Sequence, residues 1–145
     1  MIAARWSSVS VAWFESSQAE HERIAVQSLQ TIQQAETLYA STYPATGFAC
    51  TLAELGGDPS AGAASSHAAQ ILKADLASGF ESGYIFSVRC EDKTIKGGVV
   101  RNNGFAVTAV TQALGQSGMR GFCDNQFGSI EYDPAGGSEC TQPVE

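Results

Sequence analysis

Four cysteines, Cys50, Cys90, Cys123 and Cys140, are the residues of this chain best suited to covalent chemistry. They include no C-x-x-C pair, and neither histidine lies near one of them in the sequence, so zinc ligation is disfavoured. An even number of widely spaced cysteines is typical of disulfides, which form in oxidising compartments. The sequence therefore predicts two disulfides; the alternative is four reduced, buried thiols in the cytosol.

Catalytic chemistry has little support in the sequence. A nucleophile needs a base within reach, and the chain has only two histidines, His21 and His67. The first lies among charged residues of a predicted helix and the second near a predicted helix start, where a capping role is expected. The pair Gly97-Gly98 lies between predicted strands, which indicates a turn and not a dinucleotide site. We expect no enzyme activity and no cofactor.

Acidic side chains near the C-terminus are the only candidates for metal binding. Asp124, Glu131, Asp133 and Glu139 supply the oxygen ligands that calcium prefers. Their spacing differs from that of an EF-hand loop, and Asp133 followed by proline suits an ordinary turn. A solvated acidic turn is therefore the favoured interpretation, and Asp124 and Asp133 are the calcium candidates.

Size and charge restrict the remaining classes. A chain of 145 residues is one ordinary domain, and 43% hydrophobic residues disfavour disorder. The net charge is −7 and the eight Lys and Arg are scattered, so binding to nucleic acid is disfavoured. Only 16% of the residues are charged, which suits exported proteins and packed subunits.

Residues 15–43 predict one long helix. Apolar side chains recur on one face at helical spacing, no Gly or Pro interrupts, and Pro44 ends the helix. At 1.5 Å per residue this helix is about 42 Å long, so we expect part of it to project or to pack outside the domain. The predicted helix-packing or assembly residues are Ile24, Leu29, Ile32 and Tyr39, within a face that also includes Ala25, Ser28 and Ala35.

Residues 44–80 predict a loop with short helical pieces. Thr51 and Glu54 have the spacing of a capping box, and Gly56 to Pro59 then ends that turn. A second helix is predicted from Ser66 to Leu76.

Residues 81–145 predict an antiparallel sheet, because hydrophobic side chains there alternate with a period of two. The predicted strands and turns are strand 84–90, a turn at Lys96–Gly98, a hairpin turn at Asn102–Gly104, strand 105–110, extended pieces 120–125 and 129–132 joined at Phe127-Gly128, and an irregular tail 134–145. Helices followed by strands indicate an α+β domain, in which the sheet buries one face on the long helix.

This order resembles the fold of type IV pilins and type II secretion pseudopilins. Four segments carry the resemblance: the C-terminal half of the helix (Glu22–Pro44), GFACTLAELGG after it (Gly47–Gly57), the first sheet strand SGYIFSV (Ser82–Val88), and the last hairpin RGFCDNQFGSIEYDPAGG (Arg120–Gly137). Together they place residues 15–145 in a pilin-like globular domain.

The resemblance implies a structural filament subunit without enzyme activity. Its expected partners are further copies, other pilin subunits or a hydrophobic pilin helix, together with pilus or secretion machinery. Its expected location is an extracellular or cell-surface filament, reached from the periplasmic side. An alternative is a soluble exported binding module, such as an adhesin or glycan-binding domain, with Tyr84, Phe105 and Tyr132 lining a pocket.

Residues 1–14 depart from the family pattern. Pilins begin with a leader and an apolar helix of ~20 residues, whereas serines interrupt the apolar run here. Three interpretations remain open: a trimmed chain, a misassigned start, or a split pilin whose membrane helix is a separate polypeptide.

The resemblance also bears on how the cysteines pair. Pilins often have a disulfide-bounded loop near the C-terminus, and Cys123 with Cys140 resembles it. The favoured pairing is then Cys50–Cys90 and Cys123–Cys140, and the alternative is Cys50–Cys123 and Cys90–Cys140.

Overall fold

The fold is α+β: one long N-terminal helix packs on a six-stranded antiparallel sheet. The computed structural model describes residues 2–114 and 118–144, with the side chains of the first helix described from Ser17 onward. The elements are α1 (Ile2–Thr42), α2 (Leu52–Leu55), a 3-10 turn (Pro59–Ala61), α3 (Ala74–Ala77), β1 (Phe80–Glu81), β2 (Tyr84–Lys96), β3 (Val99–Thr111), β4 (Gly121–Asn125), β5 (Glu131–Asp133) and β6 (Gln142–Pro143). The strand order in the sheet is the order along the chain.

The helix α1 has 41 residues, about 60 Å at 1.5 Å per residue. It begins earlier than the predicted start at residue 15, because serines interrupt a hydrophobic run without breaking a helix, and no Gly or Pro occurs before Pro44. Its end at Thr42 agrees with the prediction.

The core lies between α1 and the sheet. α1 packs on β3, β4 and α2 through one row of side chains that are at most 3% exposed: Ala25, Leu29, Ile32, Ala35 and Tyr39. The sheet contributes a matching row of buried residues: Tyr84, Phe86, Phe105, Val107, Ala109 and Phe122. Burying each large aliphatic or aromatic side chain stabilises the fold by roughly 2 kcal/mol.

The connection between α1 and the sheet holds one confirmed prediction and one correction. Thr51 and Glu54 form the predicted capping box on α2. The predicted helix from Ser66 to Leu76 is wrong, because only Ala74–Ala77 is helical. The amide groups of residues 69–72 donate to the carbonyls of Glu54, Leu55 and Gly56 instead, so α2 takes the bonds that a helix would have used.

β2 and β3 form a long hairpin that turns at Gly97-Gly98, as predicted. The predicted hairpin turn at Asn102–Gly104 is wrong. Asn102 lies within β3, where its side-chain amide donates to the Phe48 carbonyl at 3.1 Å and its backbone bonds the loop after α1. Tertiary pairing therefore overrides the local turn preference.

The rest of the sheet agrees with the sequence in outline. β4 and β5 fall within or beside the predicted extended pieces, with the turn at Phe127-Gly128 between them. Two short edge strands, β1 and β6, were not predicted, because two-residue strands leave no alternation to detect.

Candidate functional site

Three of the predicted helix-packing or assembly residues, Leu29, Ile32 and Tyr39, are fully buried against the chain's own sheet. Their role is packing within the domain, and they are not accessible to another subunit. Only Ile24 is partly exposed, at the edge of the groove between α1 and α3. On the C-terminal half of α1, the surface accessible to another molecule is therefore the opposite, outward face.

The outward face of α1 lacks charge over its C-terminal half. Between Ile24 and Thr42, Glu36 is the only residue of the Asp, Glu, Lys, Arg and His types. The exposed side chains there are Gln27, Gln30, Thr31, Gln34, Thr37, Leu38, Ser41 and Thr42, and Leu38 is 53% exposed. Solvated helix faces ordinarily carry many charges, so this face is unusual for a surface helix.

The hydroxyl groups on this face are already hydrogen-bonded to the helix. Thr31, Thr37, Ser41 and Thr42 each donate to the carbonyl oxygen four residues earlier, at 2.8–3.0 Å. A hydroxyl that is bonded within its own helix loses little when water is removed from it. The outward face is thus more easily buried than its polar sequence indicates.

Glu36 lies on the inner face and is fully buried. Its Oε1 accepts from the Ala49 amide at 2.7 Å, and its Oε2 has no hydrogen-bond partner. Burial raises the pKa of Glu36 to about 8, because the charged form is poorly solvated there. The carboxyl is therefore mostly protonated at neutral pH, and α1 carries almost no charge after Ile24.

A second acidic residue of α1, Glu22, joins the helix to the last hairpin. Its Oε2 accepts from the Met119 and Arg120 amides at 2.9 Å, and its Oε1 accepts from Arg120 Nε at 3.1 Å. The Arg120 guanidinium in turn lies over the rings of Phe122 and Tyr132, 5.2 and 4.8 Å from their centroids. This cluster fixes where the helix crosses β4.

The sequence reasoning missed both acidic residues. Glu22, Ala25, Leu29, Ile32 and Glu36 follow the three- and four-residue spacing of the buried face. That spacing was the available signal, because a carboxylate in a core-facing row requires specific partners.

Both predicted disulfides are present, with the sequential pairing. Cys50 bonds Cys90 and ties the loop after α1 to β2, with the Cα atoms 4.5 Å apart. Cys123 bonds Cys140 and ties β4 to the C-terminal segment, with a Cα separation of 6.1 Å. Two disulfides are typical of an oxidising environment, such as the cell exterior or the periplasm.

The calcium candidates are buried, which corrects the expectation of a solvated acidic turn. Asp133 accepts from the Ala135 and Glu139 amides and so shapes the turn after β5. Asp124 accepts from the Asn125 amide, and burial raises the pKa of its carboxyl. Among the described residues, no three His, Cys, Asp or Glu side chains lie together as a metal site would require.

The three aromatic residues proposed for a ligand pocket do not line one. Tyr84 and Phe105 are fully buried, and the Tyr84 hydroxyl donates to the Arg120 carbonyl at 2.6 Å. Tyr132 packs on Arg120 and bonds Gln142. The glycan-pocket prediction for these residues is therefore wrong, because the sheet's period of two places the first two in the core.

A groove lies elsewhere, between α1, the segment before α3, and β1. Its volume is about 390 Å³, and we call it the α1–α3 groove. Its lining consists of Ile24, Gln27, Ser28, Thr31, Ile71, Leu72, Lys73, Asp75, Leu76 and Glu81. It combines an apolar floor with two carboxylates and one ammonium group.

The two histidines lie apart from this groove's lining: His21 is on α1 and His67 is exposed in the loop before α3.

Among the helical residues that the structure describes, no stretch is both long and apolar enough to cross a membrane. Comparisons with protein-family models, with curated proteins and with solved structures find no match to this chain. A function must therefore be inferred from the chain's own sequence and geometry.

Proposed function

We propose that this chain is a non-enzymatic structural subunit of an extracellular filament of the type IV pilus or pseudopilus kind. The C-terminal half of α1 packs against α-helices of neighbouring subunits, and the disulfide-bonded sheet faces outward. The partners are other pilin subunits and a hydrophobic pilin helix that, in a split pilin, comes from a separate polypeptide.

The outward face of α1 is the observation that carries this proposal. Burying a charged side chain without a partner costs several kcal/mol, and this face has none after Ile24. Its glutamines can hydrogen-bond across an interface, and its threonine and serine hydroxyls already bond their own helix. Its threonine and serine side chains are also small, which helps two helices approach to the 8–10 Å typical of helix packing.

The covalent framework supports the same proposal. A subunit outside the cell cannot rely on chaperones. Each disulfide restricts the unfolded chain and so stabilises the fold by about 3–4 kcal/mol. Cys123 and Cys140 enclose the last hairpin, while Cys50 and Cys90 join the loop after α1 to the sheet. Both links lie on the sheet side and leave the outward face of α1 free.

Immunogold electron microscopy of native material from cells that make this chain tests the proposal. The wild type should label filaments, and Gln34→Lys should abolish them, because it places a charge in the middle of the outward face. Gln112→Lys is the matched control, since it adds the same charge to an exposed position outside α1. Thermal unfolding of both purified variants should match the wild type.

Unlabelled material in cells that secrete the folded chain would refute the proposal. Filaments that tolerate Gln34→Lys as well as the control would refute the role of the outward face.

A further inference from the structure

The β2–β3 hairpin extends past the rest of the sheet as a two-stranded ribbon. β4 pairs with β3 only over residues 106–109 and β1 pairs with β2 only at 84–85. Beyond Cys90, the contacts of the ribbon with the rest of the chain lie at its base: Gly47 bridges Asn102, the Asn102 side-chain amide donates to the Phe48 carbonyl, and Arg101 Nε donates to the Pro44 carbonyl at 2.9 Å. All ten residues of 91–100 are exposed. We call residues 93–101, around the turn, the ribbon tip.

The ribbon tip exposes apolar side chains that a free surface would not favour. Ile95 is 74% exposed, and Val99 and Val100 are 55% and 45% exposed. Ile95 lies directly opposite Val100 in the ladder, so the two form one apolar pair on the same face of the ribbon. An exposed two-stranded ribbon with apolar residues is a surface prepared for a partner.

Charge identifies the kind of partner. The ribbon tip contains Lys93, Lys96 and Arg101 and no acidic residue, while Glu91 and Asp92 directly precede it at the base of the ribbon. The rest of the chain has five basic residues against fifteen acidic ones, a net charge of −10. A positive projection on an otherwise strongly acidic chain is complementary to a second copy of the same chain.

The α1–α3 groove is the surface of that copy which fits the ribbon tip best. Its apolar floor includes Ile24, Ile71 and Leu76, and its two carboxylates, Asp75 and Glu81, exceed its one ammonium group. The groove therefore offers both an apolar contact and a negative charge.

The ribbon tip cannot reach the groove of its own chain. The groove includes Glu81, just before β2 begins at Tyr84, whereas the tip surrounds the turn after Lys96. Twelve steps of about 3.3 Å separate the two ends of β2, a span of roughly 40 Å. The two surfaces face opposite ends of the molecule, so a contact between them joins one copy to the next.

We propose that the ribbon tip of one copy seats in the α1–α3 groove of the next. Lys93 and Lys96 then pair with Asp75 and Glu81, while the aliphatic side chains of the tip cover the groove's apolar floor. Such a contact is heterologous and therefore repeats along a filament or closes a ring. This contact between copies rests on the proposed filament function for its biological setting. It also makes a separate prediction, that the chain associates head to tail.

Sedimentation velocity of the full, oxidised chain tests this contact by charge reversal. The wild type should associate with increasing concentration, and more weakly at about 0.5 M than at about 0.05 M NaCl, because exposed charges are screened. Lys93→Glu with Lys96→Glu, and separately Asp75→Lys with Glu81→Lys, should each weaken association by roughly tenfold or more, because each creates facing like charges.

An equimolar mixture of the two reversed variants should associate again. Each variant's tip then matches the groove of the other, which a general loss of stability could not produce. The matched control is Glu131→Lys with Glu139→Lys, two exposed carboxylates outside the groove, which should associate like the wild type or better. Circular dichroism of each variant establishes that it is folded.

A wild type that stays monomeric at both salt concentrations overturns the contact, as does a mixture that stays monomeric while the wild type associates. Neither result touches the filament proposal, whose test is the microscopy of Gln34→Lys. Conversely, a chain that associates head to tail but labels no filaments retains the contact and refutes the filament.

Discussion

The substitution Glu36→Gln gives the most direct test of how the helix is joined to the domain. The amide keeps the size of the carboxyl and keeps an oxygen that accepts from the Ala49 amide, but it cannot ionise. Any change in the pH dependence of stability therefore reports the ionisation of Glu36 itself. Urea unfolding of the oxidised protein at pH 4, 5.5 and 7 measures it.

The expected magnitude comes from the two pKa values. Burial raises the pKa of Glu36 from 4.5 to about 8, so the folded chain holds a proton that the unfolded chain releases. The free energy of unfolding is highest below about pH 4.5, where Glu36 is protonated in both states. It falls as the pH rises toward 8, because the unfolded chain then releases the proton more readily than the folded chain. At about 1.4 kcal/mol per pH unit, Glu36 lowers the stability at pH 7 by about 3 kcal/mol relative to pH 4.

The free energy of unfolding of Glu36→Gln, taken relative to that of the wild type, should therefore rise by about 3 kcal/mol between pH 4 and pH 7. Glu131→Gln, at an exposed carboxyl of β5, is the matched control and should keep the wild-type pH dependence. A difference between Glu36→Gln and the wild type that stays constant with pH would refute the argument, because it would mean that the carboxyl ionises alike in both states.

Three further substitutions test other contacts. Glu22→Ala should destabilise by about 2 kcal/mol in urea unfolding, because it leaves two amides and a guanidinium without their acceptor. Cys123→Ser with Cys140→Ser should cost about 3 kcal/mol, measured as a lower unfolding temperature under oxidising conditions, with the Cys50–Cys90 disulfide still in place. Gly47→Ala should destabilise by about 3 kcal/mol or more in urea, since its φ is +80° and a Cβ would lie 2.0 Å from the Asn102 carbonyl oxygen.

Each of these has a control or a contrary outcome. Gly97→Ala has a similar positive φ of +59° but no atom within 4 Å of the added Cβ, so it should cost only the backbone strain of about 1 kcal/mol. A Glu22→Ala variant whose Met119 and Arg120 amides exchange hydrogen as slowly as in the wild type would contradict the proposed link. Equal unfolding temperatures for the double serine variant and the wild type would contradict a stabilising disulfide.

Local pattern was enough to predict the α+β class and the inner face of α1. The repeat of Ala25, Leu29, Ile32 and Tyr39 at helical spacing is a property of the sequence itself, and so is the alternation after Gly83. The capping box of Thr51 and Glu54 is equally local, because both of its bonds lie within four residues.

The failures occur where distant segments compete for the same backbone groups. Ser66–Leu76 has helical composition, but the backbone amides of residues 69–72 donate to carbonyls at the end of α2 instead of forming helical hydrogen bonds. Asn102–Gly104 has turn composition, but the loop after α1 binds Asn102 on both its backbone and its side chain. The outward face of α1 required the structure for another reason, since only the hydrogen bonds show that its hydroxyl groups are already paired.

The meander of the sheet implies an order of folding. Each strand pairs with its neighbours in the chain, so the sheet assembles from pairings that close short loops. The contact of Glu22 with Arg120, in contrast, joins residues that are 98 positions apart. It can form only after the chain has been synthesised as far as Arg120, directly before β4. We therefore expect α1 to dock last. A chain delivered N-terminus first would expose the apolar face of its helix throughout synthesis and export, when a chaperone or a neighbouring subunit could bind it before its own sheet does.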